Sequence, residues 1–175
     1  MILSGLEIAK KVQEGKEIII KPFDAGRVGP NSYDLRLNDI LQVYDIAEGG
    51  HLDMKRQEPV RDIIIPKEGY VLQPGKLYLG STLEFTETHG YVPMLEGRSS
   101  VGRLGISIHV TAGFGDVGFS GHWTLEIHCL HPVKIYPFER ICQIYYHKIE
   151  GDYVPYQGKY QKNSGVQASM IYKDS

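Results

Sequence analysis

The sequence has few cysteines, no long apolar run and no excess of one charge. Two cysteines in 175 residues cannot build a disulfide framework or a four-cysteine zinc site. No apolar stretch approaches the roughly 20 residues needed to span a bilayer. The balance of 19 basic against 21 acidic side chains excludes a strongly basic nucleic-acid binder. We therefore expect a chain that binds neither nucleic acid nor membrane.

Repeats, low-complexity segments and interdomain linkers are also missing. The N-terminus lacks the basic start and apolar stretch of a signal peptide. The length suits one hydrophobic core. We predict a single cytoplasmic domain over residues 1–175.

What the sequence does contain is glycine, 20 residues of it, among many short β-rich runs. One helix is predicted at the start, where Ser4 and Glu7 form a capping box and Gly15 can end the helix. Short β-rich runs bounded by turn residues follow. They cover residues 17–21, 33–37, 40–44, 62–65, 70–72, 76–85, 90–95, 106–112, 122–130, 133–136 and 140–149. This pattern favours a sandwich, a jelly roll or a closed barrel.

The segment 96–105 is the first candidate for chemistry. Arg98 and Arg103 bracket Ser99 and Ser100, and glycines lie beside them. The serines can cap a helical turn, turn N–H groups can hold an anion, and arginine matches phosphate geometry. The Walker spacing is missing. The alternative is a surface turn with solvated arginines, and the pattern leaves both readings open.

The second candidate is the predicted strand 122–130. Strand alternation places His122, Thr124, Glu126 and His128 on one face and the apolar side chains on the other. Burial of an unpaired carboxylate would raise the pKa of Glu126, as a general acid or base requires. The alternative is a glutamate that simply faces solvent. Upstream, Asp116 lies in a glycine-flanked turn, for which turn formation is a sufficient explanation.

A metal site is a less favoured interpretation of the same strand. A jelly roll with His122, Glu126, His128 and His131 resembles a cupin-like metalloprotein that holds iron or manganese. The His-x-His pairing of such sites is absent, however, and so is the zinc deaminase signature.

The last twenty residues are polar and punctuated by glycine. They fit either a frayed terminus or a flap that orders over a ligand. Composition slightly favours the frayed terminus.

Taken together, these residues resemble the dCTP deaminase family, trimeric relatives of the dUTPases. The most specific element is Arg-Ser-Ser-x-x-Arg-x-Gly at 98–105, followed at a fixed distance by Thr-Leu-Glu at 124–126. The likeness covers nearly the whole chain and includes residues 1–5, 31–37, 97–105, 109–113, 118–121, 124–126, 159–160 and 171–174.

The resemblance implies a mainly β fold, a distorted jelly-roll-like β-barrel of the dUTPase-related type with a short N-terminal helix. It implies a homotrimer with active sites between subunits. The reaction would be hydrolytic deamination of dCTP at cytosine C4 with release of ammonia, in pyrimidine deoxynucleotide biosynthesis. Magnesium would be carried by the triphosphate without protein ligands, no zinc is implied, and dTTP would be a feedback inhibitor.

The resemblance also assigns residues. Glu126 matches the catalytic glutamate, and Ser99 and Arg103 match residues that hold the water and the cytosine. Further matches to nucleotide-binding positions are Arg98, Ser100, Val101, Gly102, Ala112, Asp116, Thr124, Leu125, Gln143, Tyr156, Lys159 and Asn163. The residues 155–175 become a tail that closes over the active site. Asn163 stands where relatives usually carry glutamine. Its side chain is shorter, so the resemblance does not decide whether Asn163 contacts phosphate or whether the neighbouring Lys162 replaces that contact.

Gly113 after Thr111-Ala112, together with Gln143, resembles bifunctional members that convert dCTP on to dUMP and diphosphate. We predict that bifunctional activity. The alternatives are a monofunctional deaminase that releases dUTP, a dUTPase, the cupin-like metalloprotein, and a β-module that binds nucleotides without turnover.

Overall fold

The computed structural model describes residues 1–109 and 111–174. It begins with helix α1, Gly5–Glu14. Ser4 caps this helix by accepting a hydrogen bond from the Glu7 amide at 3.2 Å, and Gly15 ends it in a left-handed conformation with φ 65°. The predicted Ser4 cap and the helix end at Gly15 are confirmed, whereas the return bond from the Glu7 side chain that completes a capping box is not among the hydrogen bonds of the described residues.

Short strands make up most of the remaining structure. They are β1 (Ile18–Lys21), β2 (Tyr33–Arg36), β3 (Ile40–Tyr44), β4 (Val60–Ile64), β5 (Tyr70–Leu72), β6 (Tyr78–Ser81), β7 (Phe85–Thr88), β8 (Tyr91–Gly97), β9 (Ile106–Ile108), β10 (Ser120–Gly121), β11 (Thr124–Cys129), β12 (Val133–Ile135) and β13 (Arg140–Lys148). A helical turn, α2 (Ser99–Gly102), precedes β9, and 3₁₀ turns cover Ala25–Arg27 and Ile171–Asp174. The predicted mainly β class is confirmed.

These strands pair in four sheets. A five-stranded sheet has the order β4-β3-β6-β11-β9, and three-stranded sheets have the orders β1-β7-β10 and β2-β13-β8. The fourth sheet pairs β12 with β5. Between residues 1–109 and 111–174, this pairing does not close into one hydrogen-bonded barrel.

Two predicted strands differ from the structure. The run 76–85 is divided between β6 and β7, which belong to different sheets. The run 106–112 is shortened to β9, because the chain turns at His109, whose φ is 54°. Its Val110 lies outside the described residues.

Strand β11 lies between β6 and β9 in the five-stranded sheet and packs against the core. Leu125 and Ile127 are fully buried on its inner face, and Trp123 just before the strand is 7% exposed. The Trp123 indole N–H donates to Thr86 Oγ1 at 2.9 Å, which ties β11 to the neighbouring sheet. No helix in the described part of the chain is both long and apolar enough to cross a membrane.

Candidate active site

Strand β11 presents Glu126 on its outer face. Its neighbours Leu125 and Ile127 are buried, whereas Thr124 and Glu126 are half-buried, as the alternation predicted. The strand is held on both sides, by β6 and by β9. The backbone carbonyl of Glu126 accepts from the His109 amide at 3.0 Å, and its carboxylate Oε2 accepts from Thr111 Oγ1 at 3.4 Å. The carboxylate therefore projects from a fixed backbone.

A cavity of about 500 Å³ lies over this face. Its size is typical of sites for small-molecule ligands. The predicted site residues in its wall are Ala112, Asp116, Thr124, Glu126, Tyr156 and Asn163. Aromatic rings form the apolar part of the wall, with the Phe119 and Trp123 centroids 5.1 Å apart and those of Phe119 and Tyr156 6.2 Å apart. The cavity can therefore hold the planar ring of a ligand against aromatic side chains and next to the Glu126 carboxylate.

His109 is a cavity residue that the site prediction did not include. Its ring lies edge-on to Trp123, with centroids 6.1 Å apart, and its Nδ1 is buried without a hydrogen-bond partner in the described structure. Burial lowers the pKa of the His109 imidazole, and the nearby Glu126 carboxylate partly opposes that shift. His109 stands out in the structure by its left-handed φ, which residues other than glycine seldom adopt. Backbone angles cannot be read from the sequence, so this feature could not have identified the residue beforehand.

The turn before β11 depends on glycine at position 113. A Cβ there would lie 2.4 Å from the Leu95 carbonyl oxygen, so a side chain cannot be accommodated without moving the backbone. Gly113 also accepts from the Leu95 amide at 2.8 Å. This contact places Ala112 and Asp116 at the cavity.

The Arg98–Arg103 segment does not line this cavity. Arg98 is the N-cap of α2 without a side-chain cap, so the expectation that Ser99 or Ser100 caps the turn is wrong. The residues Ser99, Ser100, Gly102 and Arg103 are exposed and Val101 is half-buried.

The segment lies at the far end of β11 from Glu126. Just past α2, Gly105 accepts from the Leu130 amide at 2.9 Å. Leu130 follows Glu126 by four residues, which corresponds to about 13 Å along an extended chain. In one chain, the exposed arginine segment and the carboxylate cavity are therefore separate surfaces.

Arg98 is held in place by Asp34. Its Nε lies 3.1 Å from Asp34 Oδ1, while Arg140 Nη1 lies 3.5 Å from Oδ2 of the same carboxylate. Gln143 is the register partner of Asp34, and its side chain accepts from Ser32 Oγ at 3.1 Å. Two arginines share one carboxylate, so one positive charge is left to attract an anion.

The predicted site residue Leu125 has its side chain in the core, fully buried, and does not form part of the cavity wall. Its main chain pairs with Gly80 of β6.

The tail is anchored on the edge of the site. Gln161 accepts from the Ser120 amide at 2.9 Å and donates to the Gly118 carbonyl at 2.8 Å. Asn163 pairs with Gly121, and its Nδ2 donates to the His122 carbonyl at 2.9 Å. These side-chain bonds to main chain order a segment that polar composition alone assigned to a frayed terminus.

Further along the tail, the main-chain N–H of Gln167 donates to Thr124 Oγ1 at 3.0 Å. Lys159 forms an ion pair with Asp174 and lies outside the main cavity. Neither Gln161 nor Gln167 was predicted as a site residue, because single glutamines in a polar stretch have no periodic pattern that would distinguish them from their neighbours.

The histidines of the metal alternative are not grouped with carboxylates. His122 Nδ1 bonds to the Thr82 carbonyl at 3.0 Å, while His128 is exposed. Within residues 1–109 and 111–174, no three His, Cys, Asp or Glu side chains are placed to hold a metal ion.

The site thus combines a carboxylate and aromatic rings in one cavity of a mainly β chain, with an arginine turn apart from it. Residues 2–149 match the family described as dCTP deaminase-like. The chain belongs to this family, as the sequence resemblance predicted.

Relatives with a narrower description match 99% of the chain. The chain is 61% identical to "dCTP deaminase, dUMP-forming" of Cytophaga hutchinsonii, over 99% of this chain and 98% of that protein. The same identity and coverage relate it to the enzyme of that description from Clostridium beijerinckii. With the Leptospira biflexa protein of the same description the identity is 57%, over 99% of this chain and 98% of that one.

A solved structure shares the fold. The crystal structure of 2'-deoxycytidine 5'-triphosphate deaminase from Agrobacterium tumefaciens has a TM-score of 0.64 and 20% identity. The match covers 83% of this chain and 47% of that longer chain.

Proposed function

We propose that this protein hydrolyses dCTP to dUMP, ammonia and diphosphate. The observation that carries the proposal is Glu126, half-buried in the wall of a cavity, in a chain that is 57–61% identical to dUMP-forming relatives. The product supplies pyrimidine deoxynucleotide synthesis.

Glu126 serves as the base and then as the acid in deamination. Its carboxylate takes a proton from water, whose oxygen bonds to cytosine C4. The same proton is delivered to ring N3, and the second water proton leaves with the amino group as the C4–N bond breaks. Water and dCTP thereby give ammonia and a uracil nucleotide. A single carboxylate can both accept and donate because it is regenerated in each turnover.

The second step cleaves the triphosphate. Another water attacks the α-phosphorus, the bond to the β-phosphate oxygen breaks, and diphosphate leaves. Asp116 lies in the same cavity as Glu126 and supplies a carboxylate that accepts the proton of this water.

The Arg98–Arg103 segment of the site comes from a second copy of the chain in this proposal. Ser99 and Arg103 are expected beside the cytosine, yet in one chain their segment is exposed and remote from Glu126. A homotrimer with sites between subunits brings the two surfaces together, since cyclic assembly joins different patches of neighbouring copies.

Magnesium enters on the triphosphate. This ion keeps several waters and binds phosphate oxygens, so it does not require a protein cage. Asp116, which this proposal places at the triphosphate, would offer carboxylate oxygens to the water shell of the ion. When bound, the ion neutralises phosphate charge.

The proposal also includes an inhibitor and a cellular location. dTTP carries the same deoxyribose and triphosphate as dCTP, so it would occupy the site as a feedback inhibitor. The cytoplasm, which holds the nucleotide pool, is the proposed location.

Product analysis tests the function. Purified protein is incubated with dCTP and magnesium, and the nucleotides and diphosphate are separated by ion-exchange chromatography. We expect dUMP and diphosphate in equal amounts. Accumulation of dUTP would leave a monofunctional deaminase, consumption of dUTP alone would leave a dUTPase, and binding without any product would contradict enzymatic activity.

A further inference from the structure

A second, smaller cavity lies within the tail. It measures about 240 Å³, and its wall includes Lys159, Lys162 and Ser164. Three of its residues, Tyr160, Asn163 and Gln167, also line the Glu126 cavity. The two spaces therefore adjoin along shared side chains.

Lys162 has an unusual backbone conformation at this cavity. Its φ of 62° lies in the left-handed region, which side chains other than glycine, asparagine and aspartate seldom adopt. The conformation is fixed because the Lys162 amide donates to the Ser120 carbonyl at 2.7 Å, while Gln161 and Asn163 on either side are themselves anchored. Strain of this kind, held by its surroundings, is characteristic of functional sites.

The charge of the small cavity depends on Lys162. Lys159 is paired with Asp174, whereas Lys162 forms no ion pair in the described part of the chain. The Asn163 amide is committed to the main chain, where Nδ2 donates to the carbonyls of His122 and Gly165 at 2.9 and 3.0 Å. The cavity thus has one uncompensated ammonium group.

We propose that Lys162 binds the terminal phosphates of the nucleotide whose base lies beside Glu126. An ammonium group acts as a point charge for phosphate and can donate up to three hydrogen bonds. Because the two cavities adjoin at Tyr160, Asn163 and Gln167, the proposal places the base in the large cavity and the terminal phosphates in the small one. This inference rests on the proposed function, since it requires a nucleoside triphosphate in the large cavity.

Charge-removing and charge-keeping variants test the role. Lys162→Gln removes the charge but keeps a hydrogen-bond donor on a side chain one atom shorter, Lys162→Arg retains the charge, and Lys10→Gln on the exposed face of α1 is the matched control. We expect Lys162→Gln to raise the KM for dCTP about five- to tenfold, as loss of a partly solvated charge–phosphate contact implies. We expect kcat to change less than about twofold, and Lys162→Arg and Lys10→Gln to keep the wild-type KM.

The salt dependence of KM separates charge from structure. For the wild type, KM should rise with sodium chloride more steeply than for Lys162→Gln, because one screened contact is missing in the variant. Limited proteolysis of the tail should be the same for both. An unchanged KM, an equal salt slope, or a loosened tail in Lys162→Gln would overturn the inference. If wild-type protein does not turn over dCTP at all, the proposed function itself fails.

Discussion

Glu126 is the residue on which the proposed chemistry depends. Glu126→Gln keeps the size and the contact with Thr111 but cannot take the proton from water. We expect kcat for ammonia release to fall by about 10²- to 10⁴-fold, the usual contribution of a general acid–base group. A coupled ammonia assay measures the rate, and fluorescence titration checks that dCTP still binds. A variant with full activity would contradict the assigned role.

Asp34 is a positioning residue, since it contacts Arg98 and Arg140 and not the cavity. Asp34→Asn removes the charge that orients Arg98. We expect the KM for dCTP to rise about three- to tenfold with a smaller change in kcat, because phosphate binding is weakened before chemistry. Steady-state kinetics provide the measurement, with Asp152→Asn at an exposed loop as control. An unchanged KM would show that Arg98 needs no such partner.

His109 links stability to pH. Its pKa is lowered by burial in the folded protein, so the unfolded chain binds more protons below the ordinary value of 6.5. This contribution to stability is complete above pH 6.5 and is lost as the pH falls toward the depressed pKa. We expect the urea midpoint to decrease between pH 7 and pH 5 less in His109→Gln than in the wild type. Parallel curves would contradict burial of a neutral imidazole.

At the scale of elements, local patterns predicted α1 and the outer face of β11. Capping residues act within one turn, and alternation along 124–129 reports which face is buried, so both could be read from neighbouring residues. The run 76–85 was predicted wrongly because its halves join different sheets. Phe85–Thr88 pairs with β1 and β10, and such long-range partners leave no mark on the local sequence.

The tail shows a second limit of local patterns. Polar composition slightly favoured a frayed end over a closing flap, and the family resemblance reversed that preference. The structure anchors the segment through Gln161 and Asn163, whose amides bind main-chain groups of residues 118–122. Such hydrogen bonds leave no trace in the hydrophobic pattern of the sequence. The wall of the cavity that the tail forms could therefore not be predicted from the residues alone.

Removal of one anchor should release the tail. Gln161→Ala deletes the bonds to Ser120, Gly118 and the Tyr156 carbonyl. We expect faster proteolytic cleavage between residues 155 and 170, because these bonds oppose local opening. Mass spectrometry of limited digests measures the rate, with Gln157→Ala at an exposed position as control. Equal cleavage in both variants would show that other contacts hold the tail.

At the scale of the whole molecule, one chain carries the proposed site in two parts. The carboxylate cavity and the tail are one part, and the turn from Arg98 to Arg103, exposed over most of its length, is the other. Family resemblance predicts that sites form between subunits, and the separation along β11 gives a physical reason for it. The central claim is that Glu126 of one copy works with Arg103 of another.

Subunit complementation tests that claim most directly. Glu126→Gln and Arg103→Ala chains with different affinity tags are co-expressed, and mixed assemblies are isolated through both tags. Each variant alone should be inactive. Doubly tagged trimers should show roughly a third of the wild-type activity, because in each cyclic trimer of mixed composition one of the three sites takes Glu126 from an Arg103→Ala chain and Arg103 from a Glu126→Gln chain. Mixed assemblies no more active than the separate variants would contradict a site shared between copies.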